Sequence, residues 1–394
     1  MIEVSQRARV RSATGRSEPA IVTFFRSLDW ILLLAAAGLV GYGLWVVSGI
    51  TRFDVPGDQN YFVVRQGIAA AMGVVGLVVA AFIPVGLWHR YWKLVYGATL
   101  GLMLFVFVAA EAIRGSKRWL DLGVIQFQPS ELGKVLFVLA IGGFVVDRVG
   151  PVARWRTIFA VLGLGGIPIL LVFMQPDLGT ALVYAATLFA VLYFAGLRWR
   201  QLLALLAVAV LGITSVLWLL PSAGVQVLKP YQAARLTLDP NADPSGITYN
   251  LSQSITAVGS GGLTGRGVVQ ASQTRLDYLP EHATDFAFAS LAEQRGFVGC
   301  AILLLLYLLV VWRGLRVITG AGDLYGVVVA GGLVVGFLFQ VFVNVGMTMG
   351  VAPVTGIPLP FVTVGGSSMV ANLVLIGVLQ SIHARGELGR AGQA

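Results

Sequence analysis

Ten long apolar runs constrain this chain more than anything else in it. About 20 mostly apolar residues are needed to cross a bilayer's hydrocarbon as a helix. The sequence supplies such runs at roughly 29–50, 65–87, 91–112, 131–147, 156–174, 178–195, 200–220, 286–312, 324–349 and 361–382, the fourth and sixth being short. Composition agrees: 11% of residues are charged, against roughly 25% in soluble domains. The expected architecture is an all-α integral membrane protein of about ten transmembrane helices. It comprises a polar, Arg-rich tail over 1–28, a ten-helix domain over 29–383 and a second tail over 384–394 with no evident fold. The first apolar run is long enough to span rather than to serve as a cleaved signal. The Gly- and Ala-rich stretch 66–81 suits close helix packing.

Several function classes drop out. Cys300 is the only cysteine, so neither an intrachain disulfide nor a thiolate metal site is possible. His89, His282 and His383 are too scattered for a zinc site. The net charge of +9 calls for no nucleic-acid partner, because membrane proteins carry cytoplasmic Lys and Arg as topology signals.

Ten spans put both termini on one side. With the termini inside, sixteen cations fall on the inner side and nine on the outer, Lys134 and Arg295 lying within spans. That bias favours cytoplasmic termini. Seven of the nine outer cations cluster in two loops, 113–130 and 221–285. The first holds Lys117, Arg118 and Trp119 and leads into Pro129-Ser130-Glu131, with Lys134 one turn on. Ionisable groups at a bilayer boundary are costly and usually serve a purpose.

The second loop is the only long connection, and connections of that length are functional or disordered. It carries Lys229, Arg235 and a turn-rich segment at 239–246. Ile247, Leu251, Ile255 and Val258 follow at helical spacing, which predicts a short amphipathic helix on the membrane surface. The glycines of 259–267 read more readily as a flexible turn than as a phosphate cradle, and no G-x-x-x-x-G-K-[ST] sequence is present. Arg266, Arg275 and Glu281 come next. The loop ends in Pro280-Glu281-His282-Ala283-Thr284-Asp285-Phe286. At ~1.5 Å per residue, Asp285 stands on the order of 12 Å beyond the hydrocarbon boundary near Glu293. An ionised carboxylate there can accept a hydroxyl proton as a general base, or it can simply help start the helix, with Thr284 as N-cap. The residues alone leave both readings open.

Other polar positions have structural readings beside functional ones. Glu131 and Lys134 share a helix face and can pair, as a buried bridge or as the floor of a cavity beneath Arg118. Asp177 reads as a helix-start device. Trp119 is an interfacial anchor or a sugar-stacking platform. Glu293 and Arg295 point to different faces, so each needs a partner on another span. Gln340, Asn344 and Ser367-Ser368 predict interhelical hydrogen bonds. Pro353, Pro358 and Pro360 predict a rigid re-entrant loop, which must be buried in protein or line a cavity.

Six stretches then carry a resemblance: 117–135 (KRWLDLGVIQFQPSELGKV), 175–182 (QPDLGTAL), 229–236 (KPYQAARL), 243–267 (DPSGITYNLSQSITAVGSGGLTGRG), 279–299 (LPEHATDFAFASLAEQRGFVG) and 350–368 (GVAPVTGIPLPFVTVGGSS). In this order they resemble the SEDS family (shape, elongation, division and sporulation), the bacterial peptidoglycan glycosyltransferases that include FtsW, RodA and SpoVE. Tyr249-Asn250 and Gly356-Ile357-Pro358-Leu359-Pro360 are more similar to the RodA branch. The resemblance implies ten helices, an extracytoplasmic active site and polymerisation of lipid II into β-1,4-linked glycan strands for cell-wall elongation. It also implies a class B penicillin-binding protein as transpeptidase partner.

By the same resemblance Asp285 is the catalytic residue, Glu131 and Lys134 match a family Glu and Lys, and Arg118-Trp119 match a basic-Trp pair. Lys117, Arg118, Lys229, Arg235, Arg266 and Arg275 are the candidates to neutralise a leaving diphosphate, with Mg²⁺ or another divalent cation as the cofactor to expect and no organic cofactor. Trp119 and Glu281 complete the expected substrate-binding set. The chain departs from the family where a His usually precedes Thr-Asp: Ala283 stands there, and His282 one position earlier. Two rival readings remain on the residues: a lipid II flippase and a non-catalytic scaffold. A transporter would more often show repeated halves, and no internal repeat is visible.

Overall fold

The computed structural model describes residues 24–109, 118–121, 123, 126–148, 154–225 and 246–391. Among these, nine helices are long and apolar enough to cross a membrane, and Leu178–Phe194 is a shorter apolar helix among them. In chain order the elements are α1 (Trp30–Ile50), α2 (Tyr61–Phe82), the short α3 (Val85–Arg90), α4 (Trp92–Ala109), a two-stranded antiparallel ribbon of β1 (Leu120–Asp121) and β2 (Gln126–Phe127), α5 (Pro129–Val146), α6 (Trp155–Met174), α7 (Leu178–Phe194) and α8 (Trp199–Ser222). After residue 245 come α9 (Ile247–Ser260), the one-turn α10 (Gly267–Gln270) and α11 (Ser272–Arg275), then α12 (Ala287–Gly320), α13 (Leu324–Thr348) and α14 (Gly366–Ala391). Each of the ten apolar runs therefore holds a spanning or near-spanning helix.

Local chemistry sets several boundaries. Pro129 opens α5, where its missing N–H costs nothing. Pro84 ends α2 early, so the second run is a helix plus the separate α3 rather than one element. The second tail is not unstructured: α14 continues to Ala391, and Gly386 comes so close to the Gly320 carbonyl that any side chain would collide. The first tail falls outside the described residues up to 23.

The most buried spans are α5, α13 and α14, which form the centre of the bundle, while α8 stands at its edge with none of its apolar window buried. The α2–α14 contact is close because small residues line it, as the Gly/Ala stretch predicts. A Cβ on Gly377 would collide with the Leu77 carbonyl oxygen, and one on Gly73 would lie 2.5 Å from Leu373. At the α1 N-terminus, buried Asp29 caps Leu32 N–H and accepts two hydrogen bonds from Arg313 of α12, and Gln380 of α14 bonds the Asp29 backbone in both directions.

Helix α12 is broken at Gly296, whose φ of 63° and ψ of −162° suit only glycine. The break frees backbone groups, and the loop between α9 and α10 satisfies them. Arg266 N–H donates to the Glu293 carbonyl (2.8 Å), while Phe297 and Val298 N–H donate to the Gly262 and Leu263 carbonyls (2.9 and 3.1 Å). The glycines at 261 and 265 are thus neither a phosphate cradle nor a flexible turn. A Cβ at Gly261 or Gly265 would overlap the α12 backbone, at the Ala292 carbonyl oxygen or the Gln294 carbonyl oxygen respectively.

Beyond the break, residues 287–294 of α12 are wholly buried in protein. Glu293 accepts from the Gln273 and Thr274 N–H groups and the Thr274 hydroxyl, so its partner is the one-turn α11 and not another span. Arg295 meets the Trp45 ring of α1 (4.1 Å to the centroid), as a cross-span partner should. Helix α9 uses part of the face its apolar spacing suggested: Leu251 and Val258 pack into the protein and Ile255 does not. Leu251, Ser254 and Ala257 face inward against α12 and α13, the Ser254 hydroxyl donating to the Thr348 carbonyl, while Ile255 is exposed. The helix is docked onto α12 and α13.

Candidate active site

Four helices begin around one cavity. They are α5, α7, α12 and α14, the fourth, sixth, eighth and tenth spans in chain order, so an alternating path through a membrane starts all four on the same face. Their N-termini carry partial positive charge, which favours anions. The cavity, about 80 Å³ in volume, is lined by Arg118, Trp119, Gln128, Glu131, Asp177, Thr180, Thr284 and Asp285, with part of the segment 356–368. Sequence reasoning named Arg118, Trp119, Glu131, Asp177 and Asp285 from separate segments, and the fold brings all five to this cavity.

The α5 start supplies the floor. Lys134 Nζ lies 2.9 Å from both Glu131 carboxylate oxygens, with Glu131 almost fully buried. Glu131 also lines a second, largely apolar cavity of about 20 Å³ bounded by Lys134, Val138, Phe337 and Leu375 among others. The ion pair therefore stands between the two chambers. One wall is organised by Asp177. Its Oδ1 accepts from Thr180 N–H (3.0 Å), the helix-start role the sequence predicts. Its Oδ2 accepts from Gln128 Nε2 (2.7 Å) and lies 3.8 Å from Arg118 Nη1. Asp177 thus also aims Arg118, whose Nε is buried without a hydrogen-bond partner. Arg118 and Trp119 lead into the β1–β2 ribbon, which Ser367 ties to α14 by accepting from Gln128 N–H and donating to the Gln126 carbonyl. Ser367 bonds a loop here, not a neighbouring helix.

Asp285 sits on a non-helical turn just ahead of α12 and is half-buried. The N-cap of α12 is Phe286, with no side-chain cap hydrogen bond. The expected Thr284 cap does not form because α12 begins only at Ala287, and the Thr284 hydroxyl donates to Glu281 Oε2 (2.8 Å) within the turn. Glu281 does not line the cavity; it organises the turn, its carbonyl accepting from the Thr284 and Phe286 N–H groups. The carbonyls of Ala283, Thr284 and Asp285 accept from Val364 N–H (3.0 Å), the Thr363 hydroxyl (3.0 Å) and Asn344 Nδ2 (3.2 Å) respectively. The proline-rich connection is largely buried in protein from Val354 onward, as its composition predicts, while Pro353 is exposed. Gln340 and Asn344 of α13 hold its Pro358 and Ile357 carbonyls, so they join a helix to a loop rather than two helices.

Two expectations fail in place. Arg266 donates to the Ser260 carbonyl, and Arg275 donates to the Val269 carbonyl and covers the Phe53 ring, so both stabilise the 259–275 segment and neither lines the cavity. His282 does not swing toward Asp285. Its Nε2 is 3.1 Å from Asp54 Oδ1 in the α1–α2 connection, and its Nδ1 is 3.7 Å from Asp277. Burial works to lower the His282 pKa, but the Asp54 hydrogen bond and the charges of Asp54 and Asp277 prevail and raise it above the usual imidazole value. Lys117, Lys229 and Arg235 lie outside the described residues. Gln128, Thr363 and Asn344 carry no charge, and no local sequence signal points to their place around Asp285.

A divalent cation finds no ready-made cage. Among the described residues no group of three or more His, Cys, Asp or Glu side chains is placed to hold a metal ion. Glu131 and Asp177 are already engaged by a cation and by protein donors.

Comparison with known proteins extends the geometry. The family model spanning FtsW, RodA and SpoVE, described as a cell cycle protein, matches residues 26–387. The chain is 38% identical over 347 residues to the peptidoglycan glycosyltransferase MrdB of Escherichia coli K12, covering 88% of this chain and 92% of that one. It is 34% identical over 357 residues to the stage V sporulation protein E of Bacillus subtilis, covering 89% and 94%. Among solved structures, the rod shape determining protein RodA of Thermus thermophilus superposes with a TM-score of 0.65 at 29% identity, over 90% of this chain and 96% of that one. A chain from a peptidoglycan synthase complex, described in terms of coordinated polymerization and crosslinking, superposes with a TM-score of 0.73 at 32% identity, over 90% and 97%.

Proposed function

Given that the chain belongs to the FtsW/RodA/SpoVE family, we propose that its cavity is where a lipid-linked disaccharide is polymerised, with Asp285 as general base. The chain is a multi-pass membrane protein and a peptidoglycan glycosyltransferase. The substrate we assign is lipid II, joined to the nascent strand on the extracytoplasmic face of the inner membrane, with both termini cytoplasmic. The 4-hydroxyl oxygen of the incoming GlcNAc attacks the anomeric carbon of the growing strand as its proton passes to the Asp285 carboxylate. The bond from that carbon to the diphosphate breaks, undecaprenyl diphosphate leaves with the electron pair, and the configuration inverts from α to β.

A diphosphate leaves readily only if its charge is met. Arg118 lines the cavity, and a buried donor without a partner is a feature a phosphate oxygen can satisfy. Mg²⁺ usually binds through one or two carboxylates plus substrate phosphates. An ion of that kind would arrive with the diphosphate, and no step here is routed through it. The partner we expect is a class B penicillin-binding protein, in line with the synthase complex that contains a similar chain. Elongation of the side wall is the role we favour over a division role.

One observation carries this reading: Asp285 and Arg118 share a cavity at the start of four helices. A flippase, the other membrane function on lipid II, needs no carboxylate placed there. Purified protein with its partner and labelled lipid II should give glycan ladders on a gel. Lipid II moved across vesicles without ladders would replace the enzyme reading with the flippase.

A further inference from the structure

We propose that Thr363 and Asn344 are positioning residues that aim the Asp285 carboxylate by holding the backbone of its turn. The inference rests on Asp285 acting as the base and asks what keeps it in place.

A side chain on a helix is held by the helix's own hydrogen bonds. Asp285 has no such support, because residues 281–286 are turn and α12 begins only at Ala287. Its turn is held from within by the Glu281 carbonyl and from outside by one donor for each of three successive carbonyls at 283, 284 and 285. Two of those donors are side chains, and each is locked in its orientation. The Thr363 oxygen accepts from Leu359 N–H at 2.8 Å, which turns its single proton toward the Thr284 carbonyl. Asn344 is fully buried and gives its amide nitrogen to two carbonyls, Asp285 at 3.2 Å and Ile357 at 2.7 Å. Two acceptors require two N–H groups, so the flipped amide is excluded.

The donors are themselves anchored to rigid elements. Gln66 of α2, also buried, donates to the Thr363 carbonyl (3.0 Å) and accepts from Gly365 N–H (3.1 Å). Asn344 belongs to α13, one of the most buried spans. The base thus hangs between α2 and α13 through the re-entrant loop. Asn344 does not line the cavity, so any effect of its loss must pass through the backbone it holds. A misplacement of about 1 Å in a reacting group can cost about 100-fold in rate. Small shifts of this turn therefore act on the chemical step more than on substrate affinity.

The test uses the full chain with its transpeptidase partner and labelled lipid II, measuring kcat and KM for polymerisation by Thr363→Val, Thr363→Ser, Asn344→Leu and Asp285→Asn. Thr363→Val and Asn344→Leu should each lower kcat about tenfold or more, with KM within about twofold of wild type. Thr363→Ser, which keeps the hydroxyl, should recover most of the loss. If Thr363→Val does not accumulate in membranes, Thr363→Cys, a weak donor of similar shape, takes its place. Wild-type kcat in both donor-deleted variants, a change in KM alone, or a Thr363→Ser variant as impaired as Thr363→Val would overturn the proposal. An inactive Asp285→Asn beside a normal Thr363→Val defeats only the positioning role. An active Asp285→Asn defeats the assignment of the base itself.

Discussion

Replacing Lys134 by Met should destabilise the protein more than replacing both members of its ion pair. Glu131 is 1% exposed, and both its oxygens are 2.9 Å from the Lys134 ammonium. Taking away one partner of a buried pair strands the other charge, at a cost of about 3–5 kcal/mol. Glu131 lies in the first turn of α5, where the helix N-terminus returns about 1 kcal/mol to an anion. The single variant should therefore lose about 2–4 kcal/mol. In the double variant Glu131→Leu, Lys134→Met neither charge is left, and apolar replacements of a buried pair are often neutral. Its melting temperature in detergent, followed by tryptophan fluorescence, should lie near wild type and clearly above that of Lys134→Met. If Lys134→Met melts with wild type, or the double variant melts below it, the pair is not the buried, coupled floor described here.

Two further outcomes follow from the loops around the site. Gly296→Ala should cost about 1–3 kcal/mol for its backbone conformation and about 1–3 kcal/mol more for collision with the 263–265 backbone. Its melting point should fall well below that of Gly163→Ala, whose added methyl meets open space; equal melting of the two variants would remove the helix-break account. The tie between His282 and Asp54 should depend on pH. Because the folded pKa of His282 is raised, its stabilisation is fully present below the unfolded value of about 6.5 and is lost as pH rises through the folded value. The melting difference between wild type and His282→Gln should therefore shrink from acid to alkaline pH, and a constant difference would contradict the charge-assisted contact.

Much of the membrane architecture was legible because its signal is local. Twenty or so apolar residues in a row need no tertiary context, and Pro129 marks its helix start unaided. The Glu131–Lys134 pair was legible for the same reason, since a three-residue spacing on a helix fixes a geometry. Asp285 was legible as a candidate from its polar segment and from the family resemblance, although its residues alone could not separate a base from a cap. What stayed hidden depends on distant segments meeting. The glycines at 261 and 265 look like a mobile turn until the break at Gly296 gives them a backbone to pack against. Arg266 and Arg275 carry the right charge for a diphosphate, but local carbonyls hold them away from the cavity. His282 sits close to Asp285 in sequence and is turned to Asp54, far back along the chain. Asn344 was visible only as a polar spot in a span, with nothing to say that the Asp285 carbonyl lay beside it.

The central claim meets its most direct test in the Asp285→Asn protein, inserted in membranes with its partner and supplied with labelled lipid II. Asparagine keeps the shape of the side chain and removes its ability to take a proton, so polymerisation should fall at least about 100- to 10,000-fold while the protein still binds lipid II. Glycan strands made at the wild-type rate by that variant would contradict the account.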